Sequence, residues 1–113
     1  MRCLIASSHK VLAENTRVAD QFWSRFKGLL GTQELKTGEA LLLVPCNSIH
    51  TFGMAFPIDA LFLDHENKII YMLEVLAPWK MSKIVWKAKK VLELPAHTIQ
   101  NTSLQLGEEL LFV

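Results

Sequence analysis

Cys46, His50 and Asp59 fall within one largely apolar stretch, CNSIHTFGMAFPIDALFLD, which ends at Asp64. A thiol, an imidazole and a carboxylate are the groups of a nucleophile, a base and an orienting acid, so cysteine-dependent hydrolysis or group transfer is one chemistry these residues could serve. Their spacing weighs against it. In extended backbone the step from Cys46 to His50 separates the two Cα atoms by roughly 13 Å, beyond thiolate–imidazole contact. A bend at Pro45 or Asn47-Ser48 would be required, and no family-specific cysteine-protease signature surrounds the thiol. The favoured reading is a buried small thiol and a histidine bonded to backbone. The hydrolase or transferase using Cys46, His50 and Asp59 is the competing class. Cys46, His50, Asp59 and His65 lack paired ligand spacing, so no metal is expected, and no cofactor either.

Asp59 lies in the run Ile58-Asp59-Ala60-Leu61-Phe62-Leu63. Strand alternation places Ile58, Ala60 and Phe62 on one face and Asp59, Leu61 and Leu63 on the other. A carboxylate in an apolar layer demands donors, and Arg25, Thr51, His50 or free backbone N–H groups are the candidates. His50, Thr51, Met54 and Asp59 together mark a candidate pocket.

Charge supplies a second feature. No acidic residue occurs between Glu74 and Glu93, whereas Lys80, Lys83, Lys87, Lys89 and Lys90 are interleaved with Trp79, Met81, Ile84, Val85 and Trp86. In the bland reading the lysines form a solvated face and their stems cover apolar neighbours. In the functional reading Trp79, Lys80, Lys83, Trp86, Lys87, Lys89 and Lys90 form a docking surface for an acidic protein, an anionic membrane surface or single-stranded nucleic acid. The segment has no arginine and no nucleic-acid motif, and the formal charge of the whole chain is only +1. A protein partner therefore ranks first, an anionic membrane second and nucleic acid last.

These residues need a scaffold, and 113 residues suffice for a single domain spanning 1–113, which on folding buries roughly 60–70% of its unfolded surface. Hydrophobic residues make up 50% and charged residues 20%, a balance that favours a packed core over disorder. Cys3 and Cys46 are too few and too far apart for a disulfide framework. The opening MRCLIASSHK has too short an apolar run for a signal peptide, and no stretch approaches the roughly 20 apolar residues of a bilayer span. The expected location is the cytoplasm.

Arg2 to Ala6 and Lys10 to Ala13 read as two strands joined at Ser7-Ser8-His9. Val18, Ala19, Phe22, Trp23, Phe26, Leu29 and Leu30 recur at helical spacing, which predicts an amphipathic helix over residues 17–30 with Thr16 as N-cap and Gly28 and Gly31 as stop signals. Ala40 to Val44, Ile58 to Leu63, Lys68 to Val75, Val91 to Leu94 and Leu110 to Val113 read as further strands, with a hairpin at Asp64 to Lys68. The fold class is mainly β, a compact antiparallel jelly-roll-like sandwich or barrel with one amphipathic helix.

Several of these segments carry a resemblance as a set. Arg25 with Gly28-Leu29-Leu30-Gly31, Ile49-His50-Thr51-Phe52-Gly53-Met54 leading into Phe56-Pro57-Ile58-Asp59, Phe62-Leu63-Asp64, and Leu92-Glu93-Leu94-Pro95-Ala96 resemble the bacterial and archaeal family called domain of unknown function 192. The likeness covers nearly the whole chain. It implies a mainly-β sandwich or barrel with one helix and no established biochemical activity, and a pilus or secretion assembly as one setting for a partner. Two positions depart from the family pattern. Ala55 stands where relatives often carry a basic residue, so an anion contact made there would be missing. His97 stands where they tend to carry glycine, at a cost of about 1–2 kcal/mol if that turn requires a positive φ.

Overall fold

The computed structural model describes residues 1–21, 29 and 34–113. Its elements in chain order are β1 (Cys3–Ile5), β2 (Val11–Ala13), β3 (Asn15–Ala19), β4 (Glu39–Leu43), β5 (Ile58–Leu63), β6 (Ile69–Leu76), β7 (Lys90–Pro95), a short helix α1 (Thr98–Thr102) and β8 (Leu110–Phe112). The strands form two sheets, one ordered β2-β1-β8 and the other β3-β4-β7-β5-β6. The fold is mainly β and sandwich-like, and among the described residues neither sheet closes into a barrel.

The central strands of the five-stranded sheet, β4, β7 and β5, are buried on both faces. Ala40, Leu42, Leu61, Leu63, Leu92 and Leu94 face the three-stranded sheet and pack with Cys3, Ile5, Leu12 and Leu110. Leu41, Leu43, Ile58, Ala60, Phe62 and Val91 project the other way into a second core with Ile49, Met54 and Ala88. Two buried faces explain why β5 is buried at every position and why its sequence lacks the polar alternation of a half-exposed strand.

The opening hairpin, the β5–β6 hairpin and the later strands fall where hydrophobic pattern and turn residues place them. The helix over 17–30 does not begin as expected. Thr16 is buried in β3 rather than capping a helix, and Arg17, Val18 and Ala19 pair in parallel with Leu41, Leu42 and Leu43. Tertiary pairing overrides the local periodicity here, because β4 supplies backbone partners that lie far along the chain. Beyond Gln21 the rest of that prediction, including Arg25, Gly28 and Gly31, lies outside the described residues, Leu29 excepted. The β3–β4 pair is also a parallel exception in a sheet expected to be antiparallel. Among the described residues no helix is long and apolar enough to cross a membrane.

Candidate functional site

Two segments distant in sequence lie side by side over the second core. The Ile49 N–H donates to Ser82 Oγ at 2.9 Å, the Ser82 N–H to the Ile49 carbonyl at 2.8 Å, the Val85 N–H to the Asn47 carbonyl at 2.8 Å and the Cys46 N–H to the Lys89 carbonyl at 3.0 Å. His50 and Met81 form an antiparallel bridge. Residues 46–54 and 77–89 thus make an irregular antiparallel ribbon. The histidine-containing stretch and the basic aromatic segment are one surface.

Thr51 organises the top of this ribbon. It is fully buried, and its hydroxyl donates to the Ala77 carbonyl at 2.7 Å while accepting from the Lys80 N–H at 2.9 Å. Its own N–H donates to the Lys80 carbonyl at 2.8 Å, and its carbonyl accepts from the Trp79 N–H at 3.0 Å. These bonds fix the Ala77 to Lys80 turn tightly enough to hold Trp79 at φ 64°, a left-handed conformation that is costly for a bulky side chain. The indole is turned outward and is 68% exposed. Phe52 lies beside it with ring centroids 6.2 Å apart, and His50 stacks on Phe52 at 5.3 Å. Met81, Ile84 and Trp86 extend the exposed apolar surface, Trp86 being 78% exposed.

The lysines of the segment divide into groups. Lys80, Lys87 and Lys89 are exposed around the ribbon. The Lys83 ammonium sits over the Tyr71 ring, 4.6 Å from its centroid, a cation–π contact that draws it toward β6. Lys90, expected with the candidate docking residues, lies apart from them. It begins β7 and its Nζ donates to Asn67 Oδ1 at 2.7 Å. Strand alternation turns adjacent side chains to opposite faces, and sequence proximity to Lys89 concealed this.

The structure does not assemble Cys46, His50 and Asp59 into a triad. Cys46 packs at the margin of the second core, and its Sγ lies 3.1 Å from the Ser48 carbonyl, to which it donates. His50 Nδ1 accepts the Phe52 N–H at 3.3 Å. Asp59 projects from the opposite face of β5, the side of Leu61 and Leu63, and is fully buried. Its Oδ1 accepts from the Val75 N–H at 2.8 Å and the His97 N–H at 3.2 Å, and its Oδ2 from the Ile99 N–H at 2.8 Å. Backbone amides, rather than Thr51 or His50, are its donors. This carboxylate fastens α1 and the C-terminal end of β6 to β5. The turn before α1 is left-handed, with His97 at φ 75°, so the glycine-type strain expected at His97 is present.

Thr51, Met54 and Asp59 are buried side chains, and with half-buried His50 they do not line the clefts found elsewhere on the molecule. His65 lies at the exposed β5–β6 turn beside Asp64 and Glu66. Asp64 Oδ1 there accepts the N–H groups of Glu66 and Lys68, both at 2.9 Å, as turn chemistry requires.

Sequence reasoning passed over Glu93. It sits mid-strand in β7, paired with Leu41 of β4 and Ala60 of β5, so it faces the second core and is 3% exposed. Among the described residues nothing donates to its carboxyl. Burial pushes its pKa up from 4.5 to about 8, leaving it neutral at pH 7. The available signal was a glutamate enclosed by Val91, Leu92 and Leu94 in a strand apolar on both faces.

Comparison with known proteins adds the family. The chain is 30% identical over 105 residues to a UPF0127 protein of Thermococcus sibiricus, covering 89% of this chain and 68% of that protein. It is likewise 30% identical over 106 residues to the UPF0127 protein PF1050 of Pyrococcus furiosus, covering 89% of each. A protein of unknown function from Novosphingobium aromaticivorans shares the fold with a TM-score of 0.88 at 14% identity, over 99% of this chain and 84% of that one. A Sinorhizobium meliloti protein described as a putative transcription regulator does so with a TM-score of 0.80 at 20% identity, over 97% and 89%. With the family model matched across residues 4–112 and the same β architecture in these neighbours, the chain belongs to DUF192, a family described as an uncharacterised ACR.

Proposed function

We propose that this protein is a non-catalytic binding module whose ribbon docks an acidic segment of a protein partner. The observation that carries the reading is Trp79, held by the Thr51 hydrogen bonds in a left-handed conformation and left 68% exposed. Backbone strain of this kind persists where the surroundings over-determine it, and it is concentrated at binding sites. The row His50, Phe52, Trp79 is pre-organised as a rigid aromatic anchor, which lowers the ordering cost of association. Lys80, Lys87 and Lys89 supply steering for a negatively charged partner.

A fixed geometry favours a shaped protein surface over a fluid lipid interface, which needs only apolar bulk and positive charge. The description of the Sinorhizobium meliloti neighbour as a transcription regulator raises nucleic acid, but the ribbon offers no arginine for phosphate or base recognition. Neither cysteine forms a disulfide, which accords with a cytoplasmic setting.

The test uses three baits: wild type, Trp79→Gly, and the combined Lys80→Glu, Lys87→Glu, Lys89→Glu variant. A partner recovered by wild type should be released by rising salt and be absent from both variants. Its acidic segment, made as a peptide, should bind the variants roughly tenfold or more weakly. Equal recovery on all three baits, or on none, overturns the reading. Sedimentation with phosphatidylserine vesicles that requires the same residues replaces it with a membrane function.

Trp79→Gly separates binding from folding. Removing an exposed indole at φ 64° should leave urea stability intact or raise it by up to about 1 kcal/mol, since glycine adopts this conformation freely. A marked loss of stability would mean that the indole serves packing instead.

A further inference from the structure

We propose that a cleft on the other side of the molecule binds a small monocarboxylate with an apolar body, independently of the ribbon. The cleft has a volume of about 460 Å³, within the range of small-molecule sites. Val18 and Leu42 form its wall on the five-stranded sheet, Val44 lies beyond the end of β4, and Leu111 and Phe112 contribute from β8. Val18 is 46% exposed although it sits in a strand, so apolar surface is open to an occupant.

Lys90 gives the cleft its chemistry. Its ammonium is part-buried and anchored by a neutral partner, Asn67 Oδ1, at 2.7 Å. Among the described residues no carboxylate lies within ion-pair distance of it. A half-buried cation held by an amide and without an ion pair to a described carboxylate retains two N–H donors, and a carboxylate engages them in a charge-assisted hydrogen bond. Glu109 also lines the cleft and opposes a second negative charge, which selects a monocarboxylate over a dicarboxylate or phosphate.

The probe is octanoate, titrated into the uniformly ¹⁵N-labelled chain and followed by amide chemical shifts, with octan-1-ol and octylamine as controls. Saturable shifts are expected at Val18, Leu42, Leu111 and Phe112. Octan-1-ol should bind at least roughly tenfold more weakly, as should octanoate to Lys90→Gln. Absence of saturable shifts, shifts centred on Trp79 and Trp86, or equal binding of octan-1-ol or octylamine overturns the assignment. The comparison of probes is made on the wild-type chain, so it remains decisive if Lys90→Gln folds poorly.

Discussion

Asp59→Ala should destabilise the protein by about 4 kcal/mol, enough to leave a marginally stable domain largely unfolded. The substitution removes the acceptor of three amides, those of Val75, His97 and Ile99. A buried donor left without a partner costs about 1–3 kcal/mol, and the site between β5, β6 and α1 is too enclosed for water to replace a carboxylate readily. Asp59→Asn should fall between wild type and Asp59→Ala, because one side-chain oxygen remains to accept. Urea unfolding measures the loss, and amide exchange should show protection falling first at Val75 and Ile99. If Asp59 served instead as an acid in a reaction, Asp59→Ala would unfold at nearly the wild-type urea concentration, and the carboxylate would have no structural role as a fastener.

Glu93 should make the protein less stable as pH rises from about 4.5 to about 8. The folded chain holds the proton up to about pH 8, whereas the unfolded chain releases it near the ordinary value of 4.5. Within that window the native state binds more protons, so its stability falls with increasing pH. Below the window both states are protonated and the contribution is whole; above it both are ionised and the loss is complete. The interval corresponds to ~5 kcal/mol as an order of magnitude. Glu93→Gln keeps the shape and stays neutral throughout. Relative to wild type, the variant should therefore gain stability between pH 5 and pH 8, read as the difference between paired urea titrations. Parallel pH profiles for the two proteins would show that the Glu93 carboxyl is not held neutral by burial.

Much of the fold was legible locally. The run Ile58 to Leu63 is apolar on both faces, and it became a central strand buried on both sides. Asp64-His65-Glu66-Asn67 carries turn-forming residues, and the chain reverses there. The face on which Asp59 lies, and its need for donors, followed from alternation alone. Period, turn chemistry and charge act over a few residues, so a sequence displays them directly.

What the tertiary structure decided were the pairings between segments far apart. Residues 17–19 fit the start of a helical pattern, yet they join a parallel strand because β4 offers a matching edge. The amides that satisfy Asp59 come from Val75, His97 and Ile99, and nothing near Asp59 in sequence announces them. The ribbon is the clearest instance: His50 and Phe52 belong to one segment, Trp79 and Met81 to another, and backbone pairing together with the bonds through Thr51 and Ser82 brings them onto one face. Lys89 and Lys90 show the converse, since neighbours in the chain point to different sides of the molecule. Sequence by itself determined a mainly-β core, its principal strands and a basic aromatic segment. Tertiary structure decided which backbone groups satisfy buried polar atoms and which side chains share a surface, because those outcomes depend on long-range hydrogen bonding that no local pattern encodes.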